Sequence, residues 1–214
     1  MNKITLKNVL PNVFAQRNDI NSEVWQQDVQ FVKGTKYLVE ANSGTGKSSL
    51  CSFIYGYRND YSGNIYFDEK DIRTFCIKDW VGVRNTGLSL LWQELRLFPE
   101  LTAMENVEIK NRLTGFQEKQ RIVEWFEMLG VSEKMNTPVG KMSYGQQQRI
   151  AMMRTLCQPF DFVFVDEPIS HLDDVNSGIM GQIITDEAER QGAGLIVTSI
   201  GKRMPIEYDK IYKL

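Results

Sequence analysis

The chain has one histidine, three cysteines and no apolar run longer than a few residues. Its most apolar stretch, FVFV at Phe162 to Val165, falls far short of the roughly 18 residues that a membrane-crossing helix needs. The opening MNKITLKNV lacks the apolar core of a secretion signal, so contact with a membrane is expected to run through a partner. Cys51, Cys76 and Cys157 stand alone, without a CxxC pair. A disulfide framework and a cysteine-rich zinc site are therefore not expected, and a reducing compartment is. Lys plus Arg (25) nearly balances Asp plus Glu (27), which leaves no basic footprint for nucleic acid. Internal repeats and low-complexity tracts are also missing.

What remains is a globular composition, 42% hydrophobic and 24% charged over 214 residues. That length suits one large domain or a core carrying a small lobe. The N-terminal third reads as short strands bounded by turn residues, KITLKNV (Lys3 to Val9), VQFVKG (ending at Gly34) and NIYF (Asn64 to Phe67), and predicts an antiparallel sheet. Between them KYLVEA (Lys36 to Ala41) is an apolar strand that runs into a glycine-containing loop and then a helical pattern, SSLCSFIYG. Thr102 with Glu105 predicts a capping box, and QRIVEWFEMLG a helix stopped at Gly130. Pro99 to Pro138 thus reads as a small helical lobe. A second strand and helix follow, FVFVD (Phe162 to Asp166) and about Val175 to Arg190, and then the strand LIVT.

Three motifs carry chemistry. In EANSGTGKSS, Glu40 to Ser49, a tight loop of Asn42, Ser43, Gly44, Thr45 and Gly46 presents backbone N–H groups at a helix start, where an anion is favoured. Lys47 is placed to reach the β- and γ-phosphates of a nucleotide, the Ser48 hydroxyl to ligate Mg²⁺, and Ser49 follows. The opening glycine of G-x-x-x-x-G-K-[ST] is Ala41 here, a small departure. The dinucleotide fingerprint G-x-G-x-x-G fails, because Ser49 stands where its third glycine belongs.

The second motif is FVFVDEP, a core strand ending in two acids. Asp166 is positioned to hold the magnesium shell, and Glu167 to orient and deprotonate a water that attacks the γ-phosphate. The third is MSYGQQQRIAMMRTL, in which Ser143 is a natural N-cap and Tyr144 onward is helical as far as Cys157. It offers a second helix N-terminus to an anion.

MSYGQ resembles the LSGGQ signature of the ATP-binding cassette (ABC) ATPases, and QQQRIAMMRTL continues as that family does. The resemblance covers nearly the whole chain, with the motifs in family order. Gln93 in LLWQE matches the Q-loop glutamine that touches Mg²⁺ and the attacking water, and SHLD (Ser170 to Asp173) resembles the D-loop. It implies an α/β fold, a P-loop NTPase core with an N-terminal antiparallel β subdomain and an inserted helical signature subdomain. Residues 1–98 and 159–214 would form the core and 99–158 the helical part. It implies ATP and Mg²⁺ as ligands. It also implies a head-to-tail dimer, with itself or with another cassette, in which Ser143, Tyr144, Gly145 and Gln146 contact the nucleotide held by the opposing chain. Separate integral membrane subunits would receive the force, placing the chain on the cytoplasmic face of the membrane. LRLFPELTAMENVEIKNRL is similar to the cassettes of lipoprotein release, macrolide export and cell division.

Several positions depart from the family. The aromatic that stacks on adenine is best matched by Phe14, although Val13 aligns nearly as well. Tyr144 replaces a signature glycine, bringing bulk to a phosphate-facing turn unless its ring points away. His171, the single histidine, is either an acid–base group or a polar interface residue. Ser199 in VTSIGKRM falls where the family has its switch histidine, so a slowed enzyme is expected and Ser199→His should raise turnover. An ATP-dependent dimerisation switch with very slow hydrolysis is the alternative reading.

Overall fold

The computed structural model describes residues 1–17 and 19–214. The first half runs β1 (Lys3–Pro11), β2 (Asp28–Val32), β3 (Lys36–Glu40), α1 (Lys47–Ile54), β4 (Tyr61–Phe67), β5 (Lys70–Asp71), α2 (Ile77–Gly82) and β6 (Leu88–Leu91). The second runs α3 (Ala103–Asn111), α4 (Lys119–Met128), α5 (Tyr144–Leu156), β7 (Phe162–Asp166), α6 (Asp174–Arg190), β8 (Gly194–Ser199) and β9 (Lys210–Lys213). One sheet is antiparallel in the order β2-β1-β4-β5, and the other is parallel in the order β6-β7-β8-β3-β9.

Both faces of the parallel sheet are covered, which is why its strands read as unbroken apolar runs. The alternation of β7 shows it: Phe162 and Phe164 pack toward β1, β2 and α1, whereas Val163 and Val165 pack toward α5 and α6. The second of these cores continues without a break into the helical region, where Val107, Trp125, Phe126, Ile150 and Met153 are all fully buried. α5 therefore lies in both the sheet packing and the helical lobe. The Thr102–Glu105 capping box forms as read, with the Thr102 hydroxyl accepting from the Glu105 N–H and the Glu105 carboxylate accepting from the Thr102 N–H.

Four elements carry no clear sequence signal. β6 is only the four residues LSLL after Asn85-Thr86-Gly87, β9 is likewise four residues long and β5 two, at or below the shortest run that marks a strand. α2 is only six residues long and buries none of them, so Ile77, Trp80 and Val81, although at helical spacing, make too short a run to mark a helix. Strand β1 also runs two residues beyond Val9, past a register shift between Lys7 and Leu10 where Asn8 takes a left-handed conformation (φ 51°). Among the described residues no helix is long and apolar enough to cross a membrane.

Because β3, β6, β7 and β8 are parallel, their C-terminal ends gather on one edge of the sheet. Ligands of such sheets bind at this edge. Glu40, Leu91, Asp166 and Ser199 are the last residues of those four strands, so the loops after them are brought together by topology alone.

Candidate functional site

The loop after β3 turns through Gly44 (φ 80°) and Gly46 (φ 100°), conformations that a side chain disfavours. Gly46 caps α1, and no side chain caps that N-terminus, so its backbone N–H groups remain available to an anion. Asn42, Ser43 and Gly44 form an exposed crest. Below it the Trp25 indole N–H donates to the Thr45 carbonyl at 2.9 Å, and the Thr45 hydroxyl donates to the Asn42 carbonyl at 2.9 Å. Ala41, at the departure from the loop pattern, packs its methyl against the core and donates its N–H to the Ser199 carbonyl. The substitution is absorbed by packing.

Two carboxylates face this loop. Lys47 Nζ lies 2.8 Å from Glu167 Oε1, with both side chains largely buried. The Ser48 hydroxyl donates to Asp166 Oδ2 at 3.0 Å, and the Thr198 hydroxyl donates to Asp166 Oδ1. Burial pushes the Asp166 pKa above the ordinary carboxylate value, against the pull of these two hydroxyls. Glu167 sits in a left-handed conformation (φ 50°), uncommon for a residue with a side chain and found where a site over-determines the backbone. Ser48 Oγ and Asp166 are hard oxygen donors of the kind that fits Mg²⁺, which takes one or two carboxylates and completes its shell with water and phosphate. Among the described residues no cluster of three His, Cys, Asp or Glu side chains offers a self-sufficient metal cage.

Beside the loop lies a cavity of about 200 Å³ lined by Phe14, Arg17, Ile20, Trp25, Asn42 and Thr45, among others. Phe14 is 6% exposed, and the Arg17 guanidinium lies 4.9 Å from its ring centre. Phe14 therefore walls the cavity, whereas Val13 is 69% exposed. On the far side of the loop, Ser49 accepts a hydrogen bond from Arg58 at 3.1 Å.

The other expected residues form a second group. Gln93 is exposed just after β6, and its carbonyl accepts a 2.9 Å bond from the Tyr144 hydroxyl. The Tyr144 ring meets His171 edge-on, 4.6 Å between centres, and His171 Nδ1 is 2.9 Å from Ser170 Oγ. Tyr144 thus points at its own chain's loops. Ser143 and Gln146 close a capping box at the start of α5, and Gly145 lies where a Cβ would come within 3.3 Å of the His171 carbonyl. Lys47 pairs with Glu167 and Ser48 with Asp166, whereas Tyr144 and Gly145, next to the Ser143 cap, meet Gln93, His171 and Leu172.

Ser199 stands at the end of β8, paired with Glu40 and so beside the phosphate loop. Its hydroxyl donates to the Lys202 carbonyl, closing the turn after the strand. Three contributors escaped sequence reading. Thr198 is hidden in an apolar strand, Trp25 lies outside any motif, and Arg154 lies in the last turn of α5, past the signature residues.

Another cleft, of about 340 Å³, includes Tyr57, Arg84, Trp92, Arg96, Lys110 and Arg154 in its lining. Arg96 stacks on Trp92 at 3.7 Å. Among the described residues no carboxylate pairs with Arg84, Lys110 or Arg154, and burial, with Arg154 close by, lowers the Lys110 pKa. Among the described residues the one ion pair that any of these four cations makes is Arg96 with Glu94, at 3.9 Å.

Residues 25–170 match the ABC transporter family. The chain is 30% identical over 176 residues to the uncharacterized ABC transporter ATP-binding protein YclH of Bacillus subtilis, covering 80% of this chain and 76% of that one. It is 28% identical over 200 residues to the lipoprotein-releasing system ATP-binding protein LolD of Syntrophotalea carbinolica, covering 92% and 87%. Against an uncharacterized ABC transporter ATP-binding protein of Mycobacterium tuberculosis, 30% identical over 184 residues, the chain spans 56% of the relative's length. The solved dimeric structure of MJ0796, a bacterial ABC transporter cassette, shares the fold with a TM-score of 0.77 at 24% identity, covering 92% of this chain and 87% of that one. Matches of this extent in sequence and in fold make the chain a member of the ABC transporter family.

Proposed function

We propose that the chain is the ATP-binding and ATP-hydrolysing subunit of an ABC transporter-type membrane complex, working on transmembrane subunits that are separate chains. The observation that carries this reading is the cluster of Lys47, Ser48, Asp166 and Glu167 at the open N-terminus of α1. The N–H groups of residues 44–49 and the Lys47 ammonium suit a triphosphate, and the cavity walled by Phe14 suits the base. Mg²⁺ held by Ser48 and Asp166 would supply charge neutralisation at the β- and γ-phosphates.

Hydrolysis follows as in-line attack of water on the γ-phosphate. Glu167 takes the water's proton, Lys47 and Ser143 of the opposing chain stabilise charge on the phosphate oxygens, and Gln93 would sense the metal beside the attacking water. In the resting chain Lys47 and Glu167 hold each other, so phosphate has to draw Lys47 away before the carboxylate can act as a base. Ser143, Tyr144, Gly145 and Gln146 would close over the nucleotide of an opposing cassette, in a homodimer or a mixed one. The cationic cleft around Lys110 and Arg154 suits a membrane subunit that presents carboxylates, which would hold the chain on the inner face of the membrane. Likeness to LolD favours the lipoprotein-release, macrolide-export and cell-division group.

Nucleotide binding to purified protein with Mg²⁺ tests the reading. ATP should bind in a manner that depends on Lys47, and the reading fails if Lys47→Ala binds as wild type does. An ATP-dependent dimerisation switch with very slow hydrolysis is favoured by one observation, the Ser199 hydroxyl bonded to Lys202 rather than free. Equal turnover by wild type and Glu167→Gln would favour the switch.

A further inference from the structure

The turn after β6 is held by one helix at two points. Leu95 (φ 59°) and Arg96 (φ 50°) are consecutive residues in the left-handed region, which side chains avoid, so this turn needs external support. At one end the Arg154 guanidinium donates to the Leu95 carbonyl at 2.6 Å and to the Arg96 carbonyl at 2.7 Å. At the other the Tyr144 hydroxyl donates to the Gln93 carbonyl at 2.9 Å, across 51 residues of sequence. Both donors belong to α5 and stand about 15 Å apart along its axis. The same N-terminal turn of α5 touches His171 and Leu172 through the Tyr144–His171 ring contact and the close approach at Gly145. Burial, with Glu94 and Glu167 near, raises the Tyr144 pKa, so the phenol keeps the proton it donates.

We propose that Tyr144 is a positioning residue, a strut that fixes the Gln93 turn to the start of α5 so that the two move as one body within a chain. The proposal rests on the function above for its consequence: the pose of Gln93 at a chain's own nucleotide sets the pose of Ser143 and Gly145 toward the opposing one. Arg154 and the buried Leu95 side chain hold the base of the turn, two residues past Gln93, and do not reach the Gln93 carbonyl. Tyr144 holds that carbonyl.

Tyr144→Phe keeps the ring against His171 and deletes only the donor; Tyr144→Gly removes both. In nucleotide-free protein, amide exchange across residues 92–96 should quicken about two- to tenfold in the Phe variant, the range expected for one hydrogen bond, with α3 unchanged. Exchange equal to wild type overturns the strut. In steady-state turnover the Phe variant should lower kcat by a similar factor and leave KM for ATP within about twofold, because the bond acts on positioning and not on binding. A looser turn with kcat unchanged overturns the coupling. Wild-type protein that fails to bind ATP refutes the proposed function, whereas the exchange comparison still decides the strut, so the two failures are told apart.

Discussion

Lys47 Nζ and Glu167 Oε1 are 2.8 Å apart, with side chains 6% and 12% exposed, so the cation and the base of the proposed reaction neutralise each other in the absence of nucleotide. Deleting one charge strands the other in a poorly solvated place. Glu167→Gln leaves Lys47 uncommitted, and we expect ATP to bind as tightly as to wild type or more tightly. Turnover should fall by about a hundredfold or more, the scale of a lost general base. Measuring Kd and kcat on the same preparation checks both, and a variant that binds ATP about tenfold more weakly sinks the account of a competing ion pair.

The phosphate loop depends on what lies beneath it. A Cβ on Gly46 would stand 3.1 Å from Phe14 Cε2 and 3.2 Å from Trp25 Cζ2, at a φ of +100°. Gly46→Ala should therefore lift the loop off its support, lower Tm and weaken ATP binding at least about tenfold. Trp25→Phe keeps the aromatic packing but loses the bond to Thr45, worth about 1 kcal/mol. Its ATP affinity should drop by a smaller factor, and a drop as large as that of Gly46→Ala would argue against the indole N–H as a mere prop.

Local patterns made part of this site legible. The strand and glycine loop before Lys47, the apolar run before Asp166 and the Ser143 cap each declare themselves within about ten residues, because each is a backbone requirement met by its own neighbours. Ser48 and Asp166 are each expected from their motifs to hold metal, and in the fold they are bonded to each other. Relations set by the tertiary fold were not legible. Nothing near Tyr144 says that its hydroxyl reaches Gln93, and nothing in VTSIGKRM says that Ser199 closes a turn onto Lys202. Thr198 reads as one more β-branched strand residue until β7 and β8 are laid side by side, in the register that pairs it with Asp166. β6 and β9 likewise exist because the sheet offers them an edge.

Burial separates the three cysteines. Cys76 is exposed, whereas Cys51 and Cys157 are buried, and burial raises both of their thiol pKa values. Thiolate is the reactive form. A maleimide at neutral pH should modify Cys76 alone in folded protein and all three residues after unfolding, as read by peptide mass. Modification of Cys51 in the folded state would mean that α1 opens beneath the phosphate loop.

The Ser199 hydroxyl donates to the Lys202 carbonyl, and Lys202 is itself fixed by the Leu172 carbonyl at 2.8 Å and Asp174 at 3.1 Å. The hydroxyl thus belongs to a turn that is tied to the segment after Glu167. Ser199→Ala should lower stability by about 1 kcal/mol and change turnover by less than about threefold, since a bonded hydroxyl gives nothing to phosphate. Ser199→His gives up the same turn bond but adds a donor long enough to reach toward the γ-phosphate, where one aligned bond to developing charge is worth on the order of a hundredfold in rate. We therefore expect the histidine variant to be less stable and faster at saturating ATP. Thermal melts and initial rates on the same samples measure the two effects separately. A histidine variant that melts lower without gaining rate would mean that the site already meets this need through another group, and the slowed-enzyme reading of Ser199 would fall.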